Sequence, residues 1–333
     1  MKTVYYQQYG SPEVLQLKEM PKPVPNADEV LVKVHAANVN YGDITARNFG
    51  NISAAEFNMP DILRFFARLS FGWKKPKRNL LGSEFSGEIE SVGANVTHFK
   101  PGDPVFGYTG MNMCTHSEYL CLKENAIIGA KPSQLSHHEA AALPYGGIMA
   151  LGLLRKFALR PGQKVLINGA SGGIGSFALQ IAKHQGAEVT AVCSPAKADY
   201  VKSLGADFVF DYNKGILAQN PQQYDLILDV LGKLKWAEVQ NLLTEKGVWL
   251  LGSFKTGKLL RMLWSNFFGK QKVICAFANE KPEDLKTLRE LVEKKAVKVI
   301  VDKVFPMNQV IEAHAHYETK THKGNVILEM VLG

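Results

Sequence analysis

A glycine-rich turn at residues 168–175 carries the clearest chemical signal in the sequence, and it reads Asn-Gly-Ala-Ser-Gly-Gly-Ile-Gly. The apolar run before it, at 165–168, has the character of a strand, and the residues after it are apolar at spacings of three and four, which predicts a helix. A second apolar run at 188–193 predicts another strand. Strand, glycine turn, helix and strand in about 30 residues is the size of one βαβ unit.

The spacing of the turn is typical of a dinucleotide-binding site. Aligned with G-x-G-x-x-G, its key positions are Ala170, Gly172 and Gly175. Gly172 would let the backbone approach a pyrophosphate, Gly175 would let the helix pack closely on its strand, and the free N–H groups at the helix start would hold the phosphates. A purely structural glycine turn is the alternative. The predicted cofactor-binding residues here are Ala170, Ser171, Gly172, Gly173, Ile174 and Gly175.

The end of the second predicted strand indicates which dinucleotide binds. NAD-binding proteins usually place an Asp or Glu about 20 residues after the first glycine, where it holds the ribose hydroxyls. That position falls near Cys193 and Ser194 here, and no acid is present. The hydroxyl of Ser194 and the ammonium of Lys197 would suit a 2′-phosphate instead, so the sequence favours NADPH. Taken alone, Lys197 would be interpreted more simply as a solvated lysine at a helix start.

The composition limits the class of protein. A chain of 333 residues suggests two domains, and 46% hydrophobic with 21% charged residues is typical of a globular protein. No apolar run reaches the roughly 18 residues of a transmembrane helix, and the N-terminus lacks the apolar region of a signal peptide. The four cysteines show neither zinc spacing nor a disulfide framework. We therefore expect a cytoplasmic protein with free thiols and no membrane partner.

The net charge of +8 raises the question of a nucleic-acid partner. The main basic cluster, at 74–78, lies in one loop, and nothing else forms a long basic stripe. A solvated face is the simpler interpretation, so we expect no nucleic acid. Just before this cluster, residues 60–69 have helical spacing, which predicts either a surface helix that covers core or a lid over a hydrophobic site.

The pattern of elements changes near residue 130. Before it, short strands separated by glycine and proline suggest a small, strongly curved β-domain or barrel. From Lys164 onward strands and helices alternate, which is typical of an α/β fold with a parallel sheet. Residues 325–331 predict one more strand.

Together these motifs resemble the medium-chain dehydrogenases/reductases, on their zinc-independent quinone oxidoreductase branch. The most specific stretches are 40–47, 81–107, 168–178, 204–207 and 323–329. The resemblance implies an α/β protein with a GroES-like curved β catalytic domain, built from both chain ends, and a doubly wound Rossmann domain inserted between them. We place the catalytic domain at 1–128 and 273–333 and the NADP(H)-binding domain at 129–272. A homodimer, or else a tetramer, is also implied.

Departures from the zinc-containing alcohol dehydrogenases indicate the chemistry. Asn40 and Ser83, followed by Glu84, correspond to the positions of two zinc ligands and a neighbouring acid, and Asn and Ser are poor zinc ligands. The four-cysteine zinc lobe is absent as well. The sequence therefore predicts no metal, and hydride transfer from NADPH to a small hydrophobic electrophile, a quinone or an α,β-unsaturated carbonyl, which conjugation already activates.

The resemblance also assigns roles to individual residues. Asn40 would donate its amide to the substrate carbonyl or the nicotinamide ribose, or would be only a turn residue. Tyr41 would lie beside the nicotinamide and donate its hydroxyl. Asp43 and Arg47 match the family's catalytic loop, where a structural ion pair is the preferred interpretation. Tyr212 resembles a position that helps to hold the 2′-phosphate, with a packed tyrosine as the alternative.

Two further functions stay open at this point. The same scaffold could reduce an enoyl thioester, or interconvert alcohols and carbonyls with NADP. A non-catalytic binding role is the other possibility, and the intact glycine turn with Ser194 and Lys197 argues against it.

Overall fold

Two β-sheets organise the protein, as shown by a computed structural model that describes residues 1–215 and 222–330. In these ranges no helix is both long enough and apolar enough to cross a membrane.

The first sheet is built from both ends of the chain. Its strands are β3 (Glu29–Val39), β4 (Glu84–Val92), β5 (Pro104–Tyr108), β6 (Tyr119–Lys123), β7 (Ile128–Ala130), β14 (Val301–Pro306) and β15 (Asn325–Glu329). They follow the order β14-β15-β3-β4-β5-β7, and β6 also pairs with β3. The C-terminal strand β15 runs antiparallel to β3, so the chain ends are joined in one sheet, and β1 (Lys2–Tyr5) and β2 (Gln16–Glu19) form a separate hairpin.

The second sheet is parallel throughout. Its strands are β8 (Lys164–Asn168), β9 (Glu188–Cys193), β10 (Phe208–Asp211), β11 (Tyr224–Asp229), β12 (Leu243–Leu251) and β13 (Lys272–Cys275). The strands follow the order β10-β9-β8-β11-β12-β13, so the chain adds strands outward from β8 to one edge and then from β11 to the other. This is the doubly wound arrangement, and its ligand crevice lies at the carboxyl end of β8, where the order reverses. The predicted fold class is confirmed.

Ten described helices of four or more residues cover these sheets. They are α1 (Tyr41–Asn48), α2 (Asp61–Phe71), α3 (His137–Ala141), α4 (Pro144–Leu154), α5 (Gly173–His184), α6 (Ala198–Ser203), α7 (Trp236–Leu242), α8 (Thr256–Phe268), α9 (Pro282–Glu293) and α10 (Val310–Glu318). Helix α4 is apolar all round and packs on α5 and α9. One continuous core extends from the parallel sheet through α3 and α4 to Phe106 and Ile327 of the first sheet, which fixes the two sheets relative to each other.

Both predicted domain boundaries fall inside strands. Strand β7 pairs with β5 through Ala130 and Val105, so the first sheet continues past residue 128. Strand β13 pairs with β12, with Val273 opposite Trp249, so the parallel sheet continues past residue 273. Because a strand cannot be divided from the sheet that satisfies its backbone, the boundaries move beyond Ala130 and beyond Cys275.

The segment at 48–80 forms the predicted helix, α2, and bridges the two sheets. Phe71 at its end is buried in the core of the first sheet, which supports the interpretation as a surface helix. The loop before it reaches the other sheet, because Asn58 Nδ2 donates to the Leu231 carbonyl and Lys255 Nζ donates to the Ala55 carbonyl at 2.7 Å.

Candidate active site

The glycine turn lies at the carboxyl end of β8, in the crevice of the parallel sheet. A Cβ placed on Gly175 would lie 2.1 Å from the Gly169 carbonyl oxygen, so only glycine permits this approach of helix α5 to its strand. The close packing predicted for Gly175 is confirmed. A Cβ on Gly173 would meet nothing within 4 Å, and the nearest atom to a Cβ on Gly172 would be 3.4 Å away. The outer side of the turn is therefore open.

The residues of the turn divide into supporting and exposed ones. Ala170 is fully buried and donates its N–H to the Val192 carbonyl at 3.2 Å, so that N–H is not free for a phosphate. Gly172 and Gly173 are exposed, and the N–H groups of Gly173 and Ile174 lie in the first turn of α5, where a helix has no acceptors of its own. Ser171 beside them is half-buried. An anion could therefore approach the turn only from its exposed half.

A basic cluster lies at the end of β9. Lys197 is half-buried, and burial lowers the pKa of its ammonium; the nearby carboxylate of Asp302 opposes this shift, and Lys323 contributes to it. His322 adjoins the cluster, and burial together with Lys197 lowers its pKa to about 4. Its Nδ1 is buried and has no hydrogen-bond partner in the described chain. An anion placed here would stabilise the charged form of Lys197, so the cluster fits a phosphate. Sequence reasoning missed His322 and Lys323 because they follow Lys197 by more than 120 positions.

Tyr212 lies at the same edge of the parallel sheet. It follows Asp211, whose Cα pairs with that of Cys193, so it is close to the strand end that carries Ser194. Its side chain is 56% exposed, so the alternative of a packed tyrosine is wrong. Asp211 accepts the N–H of Asn213 at 2.9 Å.

Asn40 caps helix α1 and uses all of its hydrogen-bonding groups within the protein. Its Oδ1 accepts the N–H groups of Gly42 and Asp43, at 2.8 and 3.3 Å. Its Nδ2 donates to Ser83 Oγ at 2.9 Å and to Glu84 Oε2 at 2.8 Å. Donation to a substrate, as predicted, would require one of these bonds to break, so the structure favours Asn40 as a turn residue.

The same bonds explain what replaces a metal site. Asn40 and Ser83, the two positions aligned with zinc ligands, do come together, and they bond to each other. Within residues 1–215 and 222–330, no group of three or more His, Cys, Asp or Glu side chains is placed to hold a metal ion.

The expected ion pair between Asp43 and Arg47 is wrong. Asp43 is fully buried and its carboxylate accepts two backbone N–H groups, from Asn40 at 2.9 Å and Gly82 at 2.8 Å. Arg47 points the other way, pairing with Glu318 at 2.5 Å and lying 2.9 Å from His314 Nδ1. Asp43 therefore holds the shape of the loop through backbone bonds, and Arg47 ties the loop to helix α10.

Glu84 is a fully buried carboxyl group beneath the catalytic loop. Three donors point at it, namely the Nδ2 groups of Asn38 and Asn40 and, at 2.8 Å, the N–H of Tyr145. Burial dominates over these donors and raises its pKa from 4.5 to about 7. The group links the catalytic loop to the start of helix α4.

Tyrosine hydroxyls gather around this point. Tyr41 is 62% exposed at the start of α1. Tyr145 lies beside Tyr108, with ring centroids 5.9 Å apart, and burial raises the pKa of both, with Glu280 adding to the effect. Tyr317 also has its pKa raised by burial and by Tyr145. Hydroxyls with raised pKa values stay protonated and can donate hydrogen bonds to a developing oxyanion. Sequence reasoning found only Tyr41, because the others come from distant segments.

Known proteins resemble the chain over nearly its whole length. The Alcohol dehydrogenase GroES-like domain matches residues 26–178 and the Zinc-binding dehydrogenase family matches residues 204–328. The family that matches residues 204–328 is named for zinc binding, but Asn40 and Ser83, which stand at the zinc-ligand positions, lie in the GroES-like match.

Three individual proteins illustrate the similarity. The human NAD(P)H oxidoreductase RTN4IP1, mitochondrial, is 31% identical over 97% of this chain and 87% of its own length. The 2-methylene-furan-3-one reductase of Solanum lycopersicum is 29% identical over 99% of this chain and 79% of its own. The solved structure of the quinone oxidoreductase from Coxiella burnetii superposes with a TM-score of 0.83 at 27% identity, covering 99% of both chains. With these matches and this fold, the chain belongs to the medium-chain dehydrogenase/reductase family, on its zinc-independent quinone oxidoreductase branch.

Proposed function

We propose that this protein is an NADPH-dependent oxidoreductase that reduces a quinone or an α,β-unsaturated carbonyl compound. The observation that carries the proposal is that Asn40 and Ser83 bond to each other at the metal-ligand positions, beside protonated tyrosine hydroxyls. Such a site can stabilise a developing enolate by hydrogen bonds, and conjugation supplies the activation that a metal would otherwise give. The names of the relatives, which reduce quinones and an enone, support the same class of substrate.

The residues of the crevice fit NADPH. The N–H groups of Gly173 and Ile174 in the first turn of α5 would hold the pyrophosphate, since the helix presents its positive end there, while the N–H of Gly172 donates to the Gly169 carbonyl at 3.1 Å. Ser194, Lys197 and Tyr212, with His322 and Lys323 beside them, would hold the 2′-phosphate. The cofactor supplies the hydride when it is bound.

The chain's own side chains would position the substrate and supply a hydrogen bond. Tyr41, exposed at the start of α1, and Tyr145, close to it, are the candidate donors to the substrate oxygen. Asn40 and Glu84 act as positioning residues, because their mutual bond connects the loop of Tyr41 to the backbone of Tyr145. Asp43 fixes the same loop through the Gly82 N–H.

Oxidation of NADPH, followed by its absorbance in the presence of a chelator, tests the proposal. The acceptors would be 9,10-phenanthrenequinone, 1,4-benzoquinone and a 2-alkenal, with NADH in parallel. We expect turnover that prefers NADPH and survives the chelator, and a loss of kcat in Tyr41→Phe or Tyr145→Phe that a control, Tyr119→Phe, does not show. Turnover only with an enoyl thioester or a simple alcohol would favour the other reactions of this scaffold. Absence of both turnover and NADPH binding would overturn the enzyme proposal.

The expected cytoplasmic location and the expected homodimer remain predictions. The human relative is named as mitochondrial, so the location has to be determined on this chain itself.

A further inference from the structure

Two amphipathic segments, 61–78 and 255–272, expose aromatic and basic side chains together. The first contains α2 with the loop after it, and the second contains α8 with the residues up to β13. They hold ten of the nineteen large hydrophobic side chains exposed in the described chain, although they are about a tenth of its length. These are Ile62, Phe65, Phe66, Leu69, Trp73, Leu260, Leu263, Trp264, Phe267 and Phe268. We call these two segments the basic aromatic surface.

The same segments account for the charge of the protein. They contain eleven of the 39 basic residues and one of the 31 acidic residues, so their net charge of +10 exceeds the +8 of the whole chain. Lys270 forms an ion pair with Glu245. For the other ten basic side chains, no ion pair within 4.0 Å is found among residues 1–215 and 222–330. The rest of the protein is slightly acidic, so the positive charge is a property of this surface.

The two segments begin on the same side of the molecule. Lys255, just before α8, donates to the carbonyl of Ala55, and Asn58 in the same loop donates to the carbonyl of Leu231. A Cβ on Gly232 would lie 2.1 Å from the Ser253 carbonyl oxygen and 3.1 Å from Asn58 Nδ2, so Asn58 and Ser253 are neighbours. Each lies three residues before its helix, so the two helices start within about 30 Å of each other. Leu231 in turn would be 2.9 Å from a Cβ on Gly169, so the loop before α2 comes close to the glycine turn.

From this combination we infer that the basic aromatic surface docks on an anionic lipid bilayer. Helices that lie at a membrane surface carry Lys and Arg beside Trp, Phe and Leu, which is the composition of both segments. The basic groups would meet the anionic headgroups, while Phe267 and Phe268, 79% and 77% exposed, would enter the boundary with the acyl chains. Arg261 over Trp264 and Arg68 over Trp73 pair a cation with an aromatic ring in each segment.

A second copy of the chain fits this surface less well. A two-fold symmetric interface places the same patch on both partners, so a net charge of +10 would face an equal charge. A bilayer with anionic lipids has a charge of the opposite sign, and its acyl chains can also accommodate the exposed apolar side chains of the surface. The inference does not depend on the proposed reaction, although a bilayer would also be a source of lipophilic substrate beside the crevice.

Flotation of the full-length protein with vesicles tests the inference. The vesicles would contain phosphatidylcholine alone, or with about one third phosphatidylserine, at low and high salt. We expect binding to the anionic vesicles at low salt, at least about tenfold weaker on neutral vesicles and reduced by salt. Lys74→Glu with Lys75→Glu, and separately Phe267→Ser with Phe268→Ser, should each weaken binding about tenfold or more.

Matched controls on other faces separate this surface from overall charge and hydrophobicity. Lys286→Glu with Lys294→Glu makes the same change of net charge on and just after α9, and Leu17→Ser with Val24→Ser removes exposed apolar groups near the N-terminus. Both controls should bind as the unchanged protein does, and thermal unfolding would verify that all four variants fold. Absence of vesicle binding at low salt, or equal loss in the controls, would overturn the inference. The inference would also be overturned if vesicles do not bind and the Phe267 and Phe268 changes instead disrupt an oligomer or a complex with single-stranded RNA.

Discussion

Glu84 is the residue at which burial and hydrogen bonding compete most directly. It titrates near 4.5 in an unfolded chain, and burial raises its pKa to about 7 in the fold despite three N–H donors. Between these values the folded protein holds a proton that the unfolded chain has lost, so the stability from this group falls as the pH rises through that window.

Glu84→Gln should therefore change how stability depends on pH. We expect the unchanged protein to have a higher free energy of unfolding than this variant, with the largest difference near pH 5. The difference should shrink toward pH 8, by up to about 1.4 kcal/mol per pH unit between the two pKa values. Urea unfolding over a pH series measures it, with Glu283→Gln on the exposed side of α9 as the control. A gap that stays constant from pH 5 to pH 8 would mean that the pKa is not raised, because a carboxyl group whose pKa is lowered in the fold changes stability only below about pH 4.5.

Lys197 decides between the two nicotinamide cofactors. Replacing Lys197 and Ser194 together with alanine should weaken NADPH binding by about 1–3 kcal/mol, because charge-assisted bonds to the 2′-phosphate are lost, while NADH binding changes little. Calorimetric titration of both cofactors measures this, and Lys202→Ala, exposed on α6, is the matched control. Equal weakening of NADPH and NADH would refute the assignment of the 2′-phosphate to this strand end.

The types of the site residues could be predicted from sequence, but their partners could not. Asp43 and Arg47 are one helical turn apart, which suggested a pair, yet their contacts are set by Gly82 and Glu318, which only the fold brings near. Asn40 shows the same limit, because the sequence does not reveal that Ser83 and Glu84 use both of its N–H groups.

At the scale of elements, the glycine turn contains glycines with two separable duties. Gly175→Ala would put a Cβ 2.1 Å from a backbone oxygen, so we expect it to lower the free energy of unfolding by about 1–3 kcal/mol or more. Gly172→Ala has an extended backbone (φ −84°, ψ 173°) and room for a Cβ, so it should leave stability nearly unchanged and weaken NADPH binding. Thermal unfolding and NADPH titration of both variants give the two readouts. If Gly172→Ala bound NADPH normally, the turn would have only a structural role.

Long periodic elements were predictable and short ones were not. The alternation in β3 places Val30, Val32 and Val34 in the core, as the pattern indicates. Strands β7 and β13 have three and four residues, too few for a period to show, and the predicted boundaries cut through both. Strand membership at such positions is decided by neighbours in the sheet, which lie far away in sequence.

For the whole molecule, the first sheet joins the two ends of the chain, and Arg47 reinforces this junction. It is fully buried, donates to the carbonyl of Gly10 at 3.1 Å and pairs with Glu318 on α10. One side chain thus holds the N-terminal segment, the catalytic loop and the C-terminal helix together. The uneven charge is the other property at this scale, because a total of +8 conceals a surface of +10 on an otherwise slightly acidic protein.

A double-mutant cycle tests whether Arg47 acts across the chain ends. Arg47→Met keeps an apolar stem and removes the charge, so it should cost about 1.5–3 kcal/mol of unfolding free energy for lost charge-assisted bonds. Combined with Glu318→Gln it should show a coupling energy of about 0.5–3 kcal/mol, because the two groups are in contact. Combined with Asp43→Asn the coupling should be smaller, since Asp43 is bound to backbone N–H groups instead. Urea unfolding of the single and double variants measures both, and a larger coupling to Asp43 would mean that the loop forms its own ion pair and that the C-terminal helix is held without Arg47.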